Sequence, residues 1–312
     1  MKRRLLLLAL LPYAAGALAG ASQEPVIRVS SNLVLVPVSV TDPAGAMVTD
    51  LSGEDFEIEE NGQRVAAARI GGPGEAPLEL ALLFDITGSV RAHFEFERRA
   101  AESFLKTVFR SIDAVSLFAI ASEPTVLQPR TTALEQALHG LAGIQPGMGA
   151  TAFYDCVAAA ARALGALGRP ETRRVMVVLS DGEDNRSTEN RLDDVMRALQ
   201  EADALFYSIN PSGRGIRINR LSQEGQEGME RLAAHTGGEA FVADRFEDLE
   251  GFYARIAAVL QGQYLLEYYS PDPRPDGAYR RIVVRVPSRP DLKIRARQGY
   301  YARTAPPEGA RR

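Results

Sequence analysis

The chain has 312 residues, 46% of them apolar and 24% charged, and a formal net charge of −4. That balance suits a globular protein with a real core, and without a basic stripe it excludes a nucleic-acid binder. One cysteine, Cys156, excludes any disulfide within the chain.

In chain order, residues 1–21 come first and stand apart from the fold. Lys2-Arg3-Arg4 precedes the apolar run Leu5 to Leu11, and small residues follow through Ala17-Leu18-Ala19 and Ala19-Gly20-Ala21. This three-part layout predicts a secretory signal cleaved after Ala19 or Ala21, hence an exported protein, periplasmic or extracellular. No membrane span is expected after cleavage. Residues 22–70 read as a β segment. VIRVS and LVLVPVSV are β-branched, Asp42-Pro43-Ala44-Gly45 is a turn, and FEIEENGQRVAAARI predicts a hairpin about Asn61-Gly62. Residues 71–77, GGPGEAP, are expected to link this segment to the next.

Between 78 and 262 the pattern alternates. LELALLF, AVSLFAI, RRVMVVLS and ALFYSI are continuous apolar runs of the kind found in strands buried on both faces. Amphipathic stretches lie between them at 91–109, 152–167, 191–201, 228–235 and 246–260. The fold class expected is α/β, a doubly wound and mostly parallel sheet flanked by helices. Residues 263–303 return to β character and are expected to pair with the N-terminal β segment as a small annex, since two or three lone strands are barely stable. Residues 304–312 are expected to be a disordered tail.

Function is concentrated in five oxygen-bearing residues at predicted strand ends or helix starts. These are Asp85, Thr87 and Ser89 in ALLFDITGSV, Thr151 in GMGATAFYD, and Asp181 in VMVVLSDGEDN. In an open α/β sheet, ligands gather beyond the carboxyl ends of the strands, where both DITGS and SDG fall. Two carboxylates and three hydroxyls suit a hard cation such as Mg²⁺, with Mn²⁺ or Ca²⁺ also fitting the donors. A coordination position left open would accept a carboxylate from a partner. Glu183 and Asp184 read as part of a solvated loop.

The DITGS run, the distant threonine and the SDG run resemble the metal-ion-dependent adhesion site of von Willebrand factor type A domains. The usual first motif there is Asp-x-Ser-x-Ser, followed by a lone Thr and an Asp-Gly pair. Asp85, Ser89, Thr151 and Asp181 match directly; Thr87 keeps the hydroxyl of the usual serine and adds a methyl. The resemblance spans about 78–262, and the flanks resemble exported bacterial proteins that carry such a domain between two β segments. It implies a non-enzymatic module that engages a protein or peptide ligand through the cation.

The same residues bear on other functions. FDITGS superficially resembles the Asp-x-Asp-x-Thr nucleophile motif of haloacid-dehalogenase phosphatases, but Thr87 stands where the second Asp would act as general acid/base. His93, His139 and His235 fall in separate helical contexts without H-x-x-x-H spacing, and no G-x-S-x-G elbow or Walker loop occurs. The remaining alternative is an envelope assembly protein that binds through the β annex, without metal, by strand addition.

Overall fold

The computed structural model describes residues 33–87, 94–147, 149–167, 172–212, 220–245, 247–302 and 304. The expected signal, the strand at VIRVS, Ser89, His93 and the tail beyond 304 lie outside the described residues.

Each apolar run of the middle segment became a strand of one six-stranded sheet. β5 (Leu78–Asp85), β6 (Ala114–Ile120), β8 (Arg173–Leu179) and β9 (Ala204–Asn210) are buried almost throughout. β7 (Thr125–Thr131) and β10 (Ala240–Val242) complete the order β10-β9-β8-β5-β6-β7. Every pairing is parallel except β6 with β7. β7 escaped the sequence reading because its exposed pattern and Pro129 are those of an edge strand, which need not be apolar.

Helices cover both faces, as side-chain alternation along β5 requires. Leu80, Leu82 and Phe84 pack under α1 (Phe94–Val108), α2 (Leu134–Ala142) and α6 (Asp248–Gln261). Ala81 and Leu83 pack under α3 (Phe153–Leu167), α4 (Leu192–Glu201) and α5 (Arg220–Thr236). The chain leaves β5 toward β6 and β7 on one side and returns to β8, β9 and β10 on the other. β5 is thus the switch point of the sheet, and the crevice at its carboxyl end is where such folds place ligands.

The terminal segments pair as expected and form two four-stranded antiparallel sheets. β1 (Leu33–Thr41) lies between β11 (Tyr264–Tyr269) and β13 (Lys293–Ala296), and β4 (Arg69–Gly71) joins the far side of β11. β2 (Glu57–Glu60) pairs with β3 (Gln63–Val65) and β12 (Tyr279–Arg285), and β14 (Gly299–Tyr301) closes the other edge. The hairpin at Asn61-Gly62 has φ of 49° and 81°, the two positive angles a type I′ turn demands. A separate apolar cluster, with Val36, Val38, Ile58, Leu266 and Tyr268, forms the core of this annex.

The glycine-rich stretch before β5 is pinned rather than loose. Arg110 donates to the carbonyls of Gly74 and Ala76, and Asp113 accepts the Leu78 amide at 2.8 Å. Buried Arg173 reaches from β8 to the Leu260 carbonyl near the end of α6, so entry to and exit from the α/β segment are tied together.

Candidate metal centre

β5 ends in Asp85, and the chain then bends so that Thr87 folds back on it. The Thr87 amide and hydroxyl donate to Asp85 Oδ1 at 2.9 and 2.6 Å. The other oxygen, Oδ2, accepts the Ser180 hydroxyl at 2.7 Å from the end of β8. The Thr151 hydroxyl reaches Thr87 Oγ1 at 3.3 Å, which joins the loop before α3 to the same group. Asp181 follows Ser180 directly and accepts the Glu183 amide at 3.1 Å, while Gly182 takes the left-handed φ of 76° that this turn needs.

All four of these sequence-predicted residues are buried, with Asp85 at 1% and Asp181 at 6% exposure. Burial pushes the Asp85 carboxyl up from its usual range, against the lowering effect of the hydrogen bonds from Thr87 and Ser180. An acid held in this way favours a cation beside it. Among the described residues no cluster of three or more His, Cys, Asp or Glu is placed to hold a metal. The groups brought together here are carboxylate and hydroxyl oxygens, which suit an oxygen-preferring ion rather than a soft one.

The loops that carry these donors are stapled to one another. The Thr151 amide donates to Asn185 Oδ1 at 2.9 Å and the Asn185 amide returns to the Thr151 carbonyl at 3.0 Å. Four residues on, Asp155 in the first turn of α3 accepts the amides of Thr188 and Asn190 and the Asn190 side chain at 2.8–2.9 Å. These bonds fix the 185–190 loop against the chain that presents Thr151.

Several contributors were not singled out from the sequence. Ser180 is one; nothing in a strand-ending serine reveals that its hydroxyl meets Asp85 at the end of the neighbouring strand β5. Gly225 is another: a Cβ there would sit 2.4 Å from the Gly182 carbonyl oxygen, so α5 lies backbone to backbone against the Asp181 loop. α5 runs from Arg220, eight residues before the expected start at 228. Its glycines read as a break, yet they serve contact. Glu183 and Asp184 are half-buried, not solvated, with Glu183 accepting from Ser222 and Asp184 from Ser187. Cys156 is buried, and that burial pushes its thiol up to about 11.

The architecture is thus a doubly wound sheet with an oxygen cluster at its switch point. Residues 80–183 match the von Willebrand factor type A domain, and the chain carries a domain of this family. No curated protein matches the chain significantly. Among solved structures, proximal thread matrix protein 1 from the mussel byssus, with a zinc-occupied MIDAS motif, aligns with TM-score 0.51 at 14% identity over 64% of this chain and 49% of that one. BatB from Bacteroides thetaiotaomicron aligns at 20% identity, TM-score 0.45, over 58% of this chain and 98% of that one. A von Willebrand factor type A protein from Catenulispora acidiphila aligns at 14% identity, TM-score 0.48, over 75% and 52%. No helix among the described residues is long and apolar enough to cross a membrane.

Proposed function

We propose that this protein is an exported, non-enzymatic binding module. It takes a divalent cation, Mg²⁺ by preference, on Asp85, Thr87, Ser89, Thr151 and Asp181, and engages a carboxylate of a protein or peptide ligand there. The observation that carries this reading is the Asp85 carboxylate, buried at the switch point and bracketed by the hydroxyls of Thr87 and Ser180, with Thr151 one contact further on. The zinc-occupied motif of the mussel thread protein supports the choice of a cation site on this fold. A bound cation supplies the positive charge that both the buried acids and an incoming carboxylate require.

The chain's own groups divide the work. Asp85 and Asp181 provide charge, Thr87, Ser89 and Thr151 provide neutral oxygens, and Ser180 holds Asp85 in place from behind. Hydroxyl donors add no charge beyond the two carboxylates, and a coordination position left to water is open to an external acid. Export rests on the segment 1–21, and the domain is taken to run from 78 to 262.

Thermal unfolding of the chelator-stripped protein with added Mg²⁺, Mn²⁺ or Ca²⁺, beside Asp181→Ala, tests the site. An ion that binds only the native state raises the midpoint, by about 2.7 kcal/mol of stability at a hundredfold excess over Kd. The rise is expected in the wild type and absent in the variant. Equal behaviour of the two, or no response at millimolar ion, refutes the site.

A further inference from the structure

α1 leaves the metal loop and packs one face on the sheet. Its buried positions are Phe94, Glu97, Ala100, Ala101, Phe104, Leu105 and Val108. That spacing is the inward stripe of an amphipathic helix, and six of the seven are apolar. The seventh is a carboxylic acid in the first turn, 1% exposed. Its Oε2 has no hydrogen-bond partner. A buried polar group left unpaired is costly and rare, so it calls for a reason.

The surroundings make the burial stranger. The charges that act on Glu97 are the carboxylates of Asp85, from the end of β5, and Asp181, from beyond β8. Both are acids, and among the described residues no cationic side chain is found to act on it. From α6, the phenol of Tyr253 feels the Glu97 charge; its hydroxyl is also buried and unpartnered. Burial first, then the two carboxylates, push the Glu97 carboxyl up to about 8. As a lone core residue this acid has no compensation, whereas beside a divalent cation it has an obvious one.

We infer that Glu97 is an outer acidic group of the metal centre, a third carboxylate that lies behind Asp85 and Asp181 and adds charge to the site without serving as a direct ligand. The inference rests on the cation reading above. With Asp85, Asp181 and Glu97 all ionised, the site carries one negative charge more than a divalent ion cancels, which raises affinity for the ion and weakens the ion's pull on an external acid. Without the ion, Glu97 holds a proton near neutral pH, because like charges and burial both oppose its ionisation. Entry of the cation therefore releases that proton, and affinity rises with pH across the range in which free Glu97 titrates.

The test uses the full chain, stripped of metal, with Mn²⁺ as the probe. Binding is measured by calorimetry at pH 6 to 9 in buffers of different ionisation heat, for the wild type, Glu97→Gln, Glu97→Met and Asp181→Ala. The Gln variant keeps the shape and removes the charge; the Met variant replaces the acid with an apolar chain of similar length. Expected is a roughly 10- to 100-fold weaker Mn²⁺ affinity in both, the range for outer groups of metal sites. Their metal-free unfolding midpoints are expected to equal or exceed that of the wild type, because each removes a buried acid with an unpaired oxygen, so a loss of Mn²⁺ affinity cannot be put down to a weakened fold. The wild type should release more protons on binding near pH 7 than Glu97→Gln does, and its affinity should climb toward pH 9 more steeply. Wild-type affinity in both variants, or proton release unchanged by Glu97→Gln, overturns the inference while leaving the site intact. If neither variant folds, a wild-type affinity flat between pH 6 and 9 overturns it. Absence of Mn²⁺ binding by the wild type itself sinks the cation reading and this inference with it.

Discussion

Truncation of Asp155 to alanine offers a quantitative check on how the metal-loop scaffold is held. Asp155 is 8% exposed and accepts three short hydrogen bonds, from the Thr188 amide, the Asn190 amide and Asn190 Nδ2. A hydrogen bond to a charged group contributes about 1.5–3 kcal/mol. The full sum overstates the loss, because Thr188 is exposed and water replaces Asp155 there. Asn190 is buried, so its two donors are stranded. Two stranded donors set the expected loss at about 3–5 kcal/mol, a fall of roughly 6–15 °C in midpoint for a chain of this size. Asp155→Asn keeps one acceptor oxygen and should lose about half as much. The pH dependence follows from the carboxyl itself. Burial pushes it up, but hydrogen bonds from the Asn190 side chain and the amides of Thr188, Asn190 and Glu189 outweigh burial and hold it below the usual range. A lowered native pKa gives stability that is present above the unfolded value and lost as pH falls through the native one. The gap between wild type and Asp155→Asn, read from urea unfolding, should thus stay constant from pH 8 to 5 and close below about pH 4. A loss under about 1 kcal/mol for the alanine variant, or a gap that widens on acidification, refutes this account of the loop.

Three further substitutions probe separate parts of the molecule. Glu60 in the annex is 1% exposed and accepts the hydroxyls of Tyr268, Ser270 and Tyr300 at 2.7–3.0 Å; Glu60→Gln should cost about 2–4 kcal/mol in chemical unfolding, and a double-mutant cycle with Tyr268→Phe should show strong coupling. Gly225→Ala places a methyl 2.4 Å from the Gly182 carbonyl oxygen, so it should cost about 1–3 kcal/mol and also shrink the cation-induced rise in midpoint, since it displaces the Asp181 loop. Gly62→Ala meets no atom within 4 Å, and its only penalty is the φ of 81°; a loss of about 1–2 kcal/mol with an unchanged cation response is expected.

Much of the architecture was legible along the chain because burial on both faces leaves a continuous apolar run, and the four long strands of the central sheet all have one. Asn61-Gly62 was legible for a local reason as well: few residue pairs accept two positive φ angles. The edge strands β7 and β10 were not, since one is exposed and the other is three residues long. The helix at 220–236 was blurred by glycines whose purpose lies in another segment.

For the candidate site, sequence alone named the candidate donors at the ends of β5 and β8 and before α3, because strand ends and their polar residues are local features. It could not place Ser180 against Asp85, Gly225 against Gly182, or the connector before β5 under Arg110 and Arg173. Those contacts join residues 34 to 97 positions apart, and only the strand order brings them together. Glu97 stands between the two cases. The spacing of α1 marks its position as inward, yet only the folded sheet puts two other acids beside it, and with them the reason an acid is there.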